Sequence, residues 1–384
     1  MPESAATALV YAPSLDAYDL GPGHPLRPER VSLAVTLTRA FGMVADGALE
    51  VVMPRPATRE EILRVHGGQY VATVIEASSE PGWWVPRRGI GPGDTPEFAG
   101  MHDASALVAG ATTQAIECVV SGTHRRGFSP AGGLHHAHRD RAAGFCVYND
   151  VAIGIAAAIE SHPDLRVLYL DIDAHHGDGV QEAFYEEPRV LTISIHEDGR
   201  YLYPGTGSAR ESGEGAGAGF ALNVPMPPQA TDECYLMAFE RVVRPAARAF
   251  EPDIIVTQNG ADAHWGDPLT SLGLTVPGYT ALFGRNVGLA EELCHGRLVA
   301  CGGGGYSWAT VVPRIWTLLG ASLIRVTPAD ELPPSWCEQV RTLGYEPPPS
   351  LRHDEGPPVT DADRASVLRI AEKIVDDLAR ERGL

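Results

Sequence analysis

Short runs of β-branched and aliphatic residues recur along the chain, each running into Gly, Asp or Asn and then into helical spacing. The runs are Ala8–Tyr11, Val167–Asp171, Val190–His196, Ala221–Val224, Ile254–Gln258 and Leu298–Cys301. They are apolar nearly throughout and do not alternate, the pattern of strands whose two faces are both covered by helices. The stretches between them are long enough for crossover helices, and Val151–Glu160, Cys234–Phe250 and Tyr279–Leu293 have helical periodicity. The pattern predicts an α/β protein with a mainly parallel sheet. No internal repeat interrupts it.

Between these elements lie Gly- and Pro-rich segments, Glu80–Ala99, Tyr203–Gly219 and Asn223–Gln229, within a total of 42 Gly and 31 Pro. Long structured loops of this kind on an α/β scaffold commonly build its site. The character changes after about residue 325. Pro333-Pro334 and Pro347–Pro349 bracket an irregular stretch, and Thr360–Arg382 then reads as a helix with Thr360 as N-cap and Val367, Ala371, Ile374 and Leu378 on one stripe. The expected organisation is a domain over 1–325 and a Pro-rich C-terminal extension over 326–384, ending in an amphipathic helix docked on the domain. A contact between two copies is the alternative use of that face.

Composition narrows the function classes. The 384 residues suffice for one large domain or two ordinary ones, and 44% hydrophobic content supplies a sizeable core. Thirty basic against 49 acidic residues give a formal charge of -19, which repels phosphate backbones and anionic membranes over a Debye length of ~8 Å. Nucleic acid and membrane surfaces are therefore not expected partners. The six cysteines include no Cys-x-x-Cys pair and do not resemble a disulfide framework, which suits a reducing cytoplasm. Met1–Leu9 lacks the basic and apolar regions of a signal peptide, and no apolar run reaches the ~18 residues of a membrane span.

The candidate chemistry lies beyond the carboxyl ends of the predicted strands, where open α/β sheets bind ligands. Val167–Asp171 runs into Asp171-Ile-Asp173-Ala-His175-His176-Gly-Asp178; Ile254–Gln258 into Asn259-Gly-Ala-Asp262; Leu298–Cys301 into Gly302-Gly-Gly304-Gly-Tyr306. In an extended chain Asp173 and His175 point the same way, with Asp171 behind them. With Asp262 they would give three ligands and an open position, as in a catalytic metal site. Burying these acids and imidazoles together without a cation would be costly. A further loop, Gly132-Gly-Leu-His135-His136, brings two imidazoles that work near neutral pH, and Asp171 and Asp178 remain free to orient them. The glycine loop lacks the Lys-Ser/Thr of a phosphate-binding P-loop and instead places Tyr306, whose hydroxyl can donate to a developing oxyanion.

Six motifs carry a resemblance: Gly132–Ala137, Gly144-Phe-Cys-Val-Tyr-Asn-Asp150, Asp171–Gln181, Tyr203-Pro-Gly-Thr-Gly207, Gly260-Ala-Asp-Ala-His-Trp-Gly-Asp-Pro-Leu269 and Gly302–Tyr306. In order, over roughly residues 11 to 321, the chain resembles the zinc-dependent histone deacetylase family, and within it the class I-like bacterial acetoin-utilisation deacetylases. The C-terminal stretch falls outside the resemblance.

The resemblance implies an arginase/deacetylase-type fold around an eight-stranded parallel sheet and a deacetylase of acetyl-lysine side chains. It implies Asp173, His175 and Asp262 as metal ligands, His136 as general base and acid, His135 as its electrostatic neighbour and Tyr306 as the carbonyl-polarising residue. Asp171 then supports His135, and Asp178 supports His136. Gly144, Phe145, Tyr203 and Leu269 match walls of an acyl-lysine tunnel, Gly304 belongs to the substrate-binding set, and Asp94 matches a rim aspartate that grips the substrate backbone. A monovalent cation, K+ or Na+, is implied near Asp171, Asp173, His175, Ser194 and Ile195, and a second near Phe184, Glu187, Val190 and Phe220. Tyr203 departs from the family, whose tunnel usually has Phe there. Zinc is the implied metal, with ferrous iron or cobalt compatible with the same ligands. Acetylated metabolic enzymes such as acyl-CoA synthetases are the implied protein substrates. Alternative readings are an acetylpolyamine or other small-amine amidohydrolase, an arginase-like two-metal enzyme and a catalytically silent acyl-lysine binder.

Overall fold

Parallel pairing joins eight strands into a single sheet in the computed structural model, which describes residues 6–45, 47–79, 82 and 84–384. The strands are β1 (Thr7–Val10), β2 (Leu49–Val52), β3 (Arg126–Ser129), β4 (Val167–Asp171), β5 (Val190–Glu197), β6 (Ala221–Met226), β7 (Ile254–Gln258) and β8 (Leu298–Cys301). Their order across the sheet is β2-β1-β3-β8-β7-β4-β5-β6. All seven pairings are parallel, so all strands release their carboxyl ends along one edge. This is the eight-stranded arginase/deacetylase-type sheet that the resemblance implied.

Six strands coincide with the apolar runs to within two residues. β2 and β3 did not announce themselves. β2 is a half-buried edge strand, and β3 reads Arg-Gly-Phe-Ser, with little strand propensity of its own. It is held as a strand by pairing with β1 on one side and β8 on the other. At the opposite edge β6 contains Pro225, a residue an edge strand tolerates because one side of its backbone is not needed for the ladder.

Helices cover both faces. Asp150–Ser161 and Val276–Cys294 extend the predicted segments slightly. The predicted helix Cys234–Phe250 is interrupted: Asp232–Ala238 and Arg244–Phe250 flank a π-turn over Phe239–Val243. Pro245 explains the break, because its ring clashes with the carbonyl four residues earlier and it has no N–H to give. The helix Met101–Val120 was not legible from periodicity, since its Ala-, Gly- and Thr-rich surface is buried nearly all round. Of the predicted loop Glu80–Ala99, positions 80, 81 and 83 lie outside the described residues, as do 1–5 of the N-terminal stretch.

The segment after residue 325 adds Trp336, Leu351, Ala371, Val375 and Leu378 to the same hydrophobic core as the sheet. Trp336 donates from Nε1 to the Leu33 carbonyl at 3.2 Å. The final helix, Asp361–Arg382, is capped by Thr360, whose hydroxyl accepts from the Asp363 N–H at 3.1 Å. Its buried stripe corrects the sequence reading: Ala371, Val375 and Leu378 face inward, whereas Ile374 and Val367 are only half-buried. The helix meets β6 and Asp232–Ala238 with the 371/375/378 face, leaving Ile374 on the flank beside Asp198 and Arg200. Among the described residues no helix is long and apolar enough to cross a membrane.

Candidate active site and metal centre

β4 ends at Asp171, whose side chain is fully buried and saturated with donors. Its Oδ2 accepts from the Tyr169 hydroxyl at 2.6 Å and from His135 Nδ1 at 2.7 Å, and its Oδ1 accepts from the Asp173 N–H at 3.0 Å. Beyond Asp171 the backbone bends, so the convergence of Asp173 and His175 does not come from alternation along an extended chain. The bend is closed by the His175 N–H donating to Asp173 Oδ1 at 3.0 Å. Asp262 arrives from the adjacent strand β7, with its Oδ1 held by the Ala174 N–H at 2.9 Å.

These three buried residues each present a ligand atom, all within 4.8 Å of one another. His175 Nδ1 sits between the two carboxylates, 3.2 Å from Asp173 Oδ1 and 3.0 Å from Asp262 Oδ2. Burial, and then the facing Asp173, push Asp262 up to about 7. Two buried carboxylates confronting each other beside one imidazole suit a divalent cation, which offsets their repulsion without further donors. The backbone comes close as well: Gly304 N donates to Asp173 Oδ2 at 2.7 Å, and a Cβ at Gly304 would lie 2.1 Å from Asp262 Oδ2. Only glycine fits at that position.

Beside the ligands, His135 and His136 form a close pair, their rings tilted by 59° and their Nε2 atoms 3.1 Å apart. His135 Nδ1 faces Asp171, and His136 Nδ1 faces Asp178 Oδ1 at 2.7 Å. Burial works against a charge on His135, but Asp171 and Asp173 outweigh it and raise the imidazole to about 9. Burial and the charge on His135 lower His136 to about 4. Of the two rings, His136 is thus the one held neutral, with Nδ1 turned to Asp178 and Nε2 left as the acceptor atom.

The mouth of the site collects most of the expected wall residues. Gly144 has φ +53°, and a Cβ there would strike the His136 ring at 2.2 Å. Asp94, exposed at the rim, accepts from the Gly144 N–H at 2.8 Å. Phe145 packs edge-on against Tyr306, and Tyr203 packs edge-on against His136 with centroids 5.2 Å apart. Tyr203 and Leu269 remain partly exposed, as residues at an entrance should.

The residues of the two implied monovalent sites are brought together as two separate groups. Asp171 and Ser194 are register partners at the carboxyl ends of β4 and β5, with Ile195 next to them. Phe184, Glu187, Val190 and Phe220 gather near the start of β5, where the Glu187 side chain is engaged by Arg189 at 2.6 Å. Any role of Glu187 there would be through its backbone.

Several participants escaped sequence reasoning. Gln258 donates to Asp173 Oδ2 at 2.7 Å, and Asp267 accepts from the N–H groups of Tyr306 at 2.8 Å and Leu269 at 3.0 Å. Asp150 shapes the histidine loop by accepting from Gly133 and Leu134 N–H. His176, unassigned from sequence, bonds the Thr206 hydroxyl at 2.8 Å and so ties β4's loop to the one bearing Tyr203. Gln258, Asp267 and Asp150 lie inside or next to the quoted motifs, so their position was the available signal.

His138 was also missed. Its Nε2 lies 3.1 Å from the second oxygen of Asp178 and its Nδ1 2.5 Å from Glu182, with Arg141 adjacent. Burial opposes its charge, yet Asp178 and Glu182 raise it to about 9. A folded-state value above the unfolded one contributes stability that is complete below about 6.5 and is lost as pH rises through about 9. His138→Gln should therefore cost roughly 1–2 kcal/mol more at pH 6 than at pH 10, allowing for solvent screening. Urea unfolding at the two pH values measures this, and an equal cost at both would refute the ion triad.

A buried three-ligand centre beside two carboxylate-backed imidazoles, at the carboxyl edge of a parallel sheet, is an arrangement suited to metal-assisted hydrolysis. Residues 24–323 match the histone deacetylase domain, and the chain belongs to that family. It is 42% identical over 332 residues to the acetoin utilization protein AcuC of Bacillus subtilis, covering 86% of this chain and 85% of the relative. The AcuC of Staphylococcus aureus strain Mu50 is 38% identical over 325 residues, covering 84% and 82%. The crystal structure of an HDAC homolog from Aquifex aeolicus superposes with a TM-score of 0.83 at 31% identity, covering 96% of this chain and all of that one.

Proposed function

We propose that the protein hydrolyses the acetyl amide of acetyl-lysine side chains in proteins, with zinc held by Asp173, His175 and Asp262. The observation that carries this reading is the histidine pair, each ring backed by its own carboxylate, directly beside the three convergent ligands. A pure binding module has no use for a base poised in this way.

When bound, the cation supplies Lewis acidity to the carbonyl and acidifies the attacking water. The remaining work falls to side chains. His136 Nε2 takes the proton from the attacking water while Asp178 steadies the ring through Nδ1. His135, anchored to Asp171, which raises its imidazole, stabilises the negative charge that develops. Tyr306 donates its phenolic proton toward the developing oxyanion, and His136 returns its proton to the leaving amine. Phe145 and Tyr203 flank the aliphatic lysine stem, and Asp94 at the rim accepts from the substrate backbone.

Turnover of acetyl-lysine peptides and of acetylpolyamines by protein of measured metal content tests the reading. The expected result is one acetate released per lysine freed, with peptides preferred. Preference for acetylpolyamines would move the substrate to small amines, and no acetate from either substrate class at full metal loading would leave only the binding reading.

A further inference from the structure

The family match stops at residue 323, yet a residue 31 positions further on reaches back to the catalytic edge. Asp354 has a side chain only 3% exposed. Its Oδ2 accepts from His264 Nε2 at 2.8 Å and from the Val276 N–H at 2.8 Å. Its Oδ1 accepts from Trp265 Nε1 at 2.5 Å and from the Gly356 N–H at 3.0 Å. Four donors saturate both oxygens, and burial with such donors is stable only while the acceptor stays ionised and in place.

Three of those donors belong to one loop, the stretch from β7 to the helix Val276–Cys294. That loop carries Asp262, a metal ligand, and Asp267, which fixes the backbone of Tyr306. His264 and Trp265 stand between them. The Gly266 N–H donates to His264 Nδ1 at 3.0 Å, so the ring's hydrogen is on Nε2 and points at Asp354. The loop is closed on itself by Trp265 N–H to Leu274 O at 2.9 Å and Leu274 N–H to Ala263 O at 3.0 Å.

The other end of the contact is fixed too. Buried Arg314 donates from Nη1 to the carbonyls of His353 at 2.7 Å and Leu351 at 3.3 Å. Asp330 accepts from the Ser350 hydroxyl at 2.7 Å and the Arg352 N–H at 2.9 Å. Asp354 thus projects from a segment, 350–353, that Arg314 of the domain and Asp330 of the extension hold in place just before it.

We propose that Asp354 is a positioning residue for the metal centre: by holding His264 and Trp265 it sets where Asp262 and Asp267 stand, so the C-terminal extension is a working part of the site. The rate consequence rests on the hydrolytic reading above; the metal consequence does not.

The test compares full-length Asp354→Asn with Asp330→Asn. Asn at 354 keeps the shape but turns one acceptor oxygen into a donor, facing N–H groups. Asn at 330 loosens the same segment without touching the 259–276 loop. Zinc affinity is read by competition with a chromogenic chelator, alongside melting temperature, kcat and KM for an acetyl-lysine peptide. Asp354→Asn is expected to weaken zinc binding and lower kcat by about 10-fold each, the usual effect of removing a partner that orients ligands, with KM nearly unchanged. Asp330→Asn should keep both, whatever it does to the melting temperature. Unchanged zinc affinity in Asp354→Asn, or the same losses in Asp330→Asn, would overturn the proposal. If Asp354→Asn does not fold, Trp265→Phe removes one donor and spares the carboxylate; a reduced zinc affinity supports the role, and parental affinity overturns it. A parent that binds zinc but releases no acetate would count against the hydrolytic reading alone.

Discussion

Chelation of the divalent cation is expected to lower kcat for an acetyl-lysine peptide by at least about 10³-fold, because a bound cation supplies several kcal/mol of transition-state stabilisation and each 1.4 kcal/mol is tenfold. Adding zinc back should restore the parent. It should not restore Asp262→Ala, which removes one of the three ligands and leaves only Asp173 and His175 to hold the ion. The same substitution deprives the Ala174 N–H of its acceptor, so the bend after β4 loses its cross-brace. Elemental analysis and acetate release, measured on the same samples, connect occupancy to rate. A chelated enzyme that keeps its rate, or an Asp262→Ala variant that regains the parental rate with zinc, would remove the ion from the reaction. A stoichiometry of one ion per chain separates this centre from a two-metal amidinohydrolase, which would need a second cluster of carboxylates where this loop offers Asn259-Gly-Ala-Asp262, a single acid.

The parts of this architecture that were legible are those where the signal is local. β4 and its loop concentrate acids and imidazoles within eight residues after an apolar run, so both strand and site could be read directly. β3 could not, because Arg-Gly-Phe-Ser becomes a strand only between two neighbours that the sequence does not place beside it. The helix Met101–Val120 was hidden for the opposite reason: burial on nearly all sides erases the polar stripe that periodicity needs. The same distinction holds within the site. Asp173, His175 and Asp262 each follow a strand, whereas His138 acquires its meaning from Asp178, 40 residues away, and Asp354 from His264, 90 residues away. Nothing in a Pro-rich tail marks one aspartate as the acceptor for a loop it does not adjoin. The final helix shows the limit of a stripe argument: Ala371 and Leu378 were placed correctly, but the choice between Ile374 and Val375 depends on the angle at which β6 is met.

Tyr306→Phe is expected to cost about 10²–10³-fold in kcat, the range for losing one oxyanion donor, while metal content and melting temperature stay near the parent's. The deletion is confined to one oxygen. The ring keeps its edge contact with Phe145, 5.7 Å between centroids, and the backbone stays tethered by the Tyr306 N–H to Asp267. Nor does the glycine loop depend on the phenol, since Arg30 grips the Gly303 carbonyl at 2.6 Å. Burial, then Asp262 and Asp173, push the phenol above its ordinary range, so it retains its proton throughout neutral pH and is present as a donor. A donor that acts on the oxyanion and not on the ground-state amide lowers kcat and kcat/KM together when removed. A rise in KM with kcat intact would instead make Tyr306 a wall of the tunnel, and the charge developing on the carbonyl would then have to be met by the cation and His135 alone.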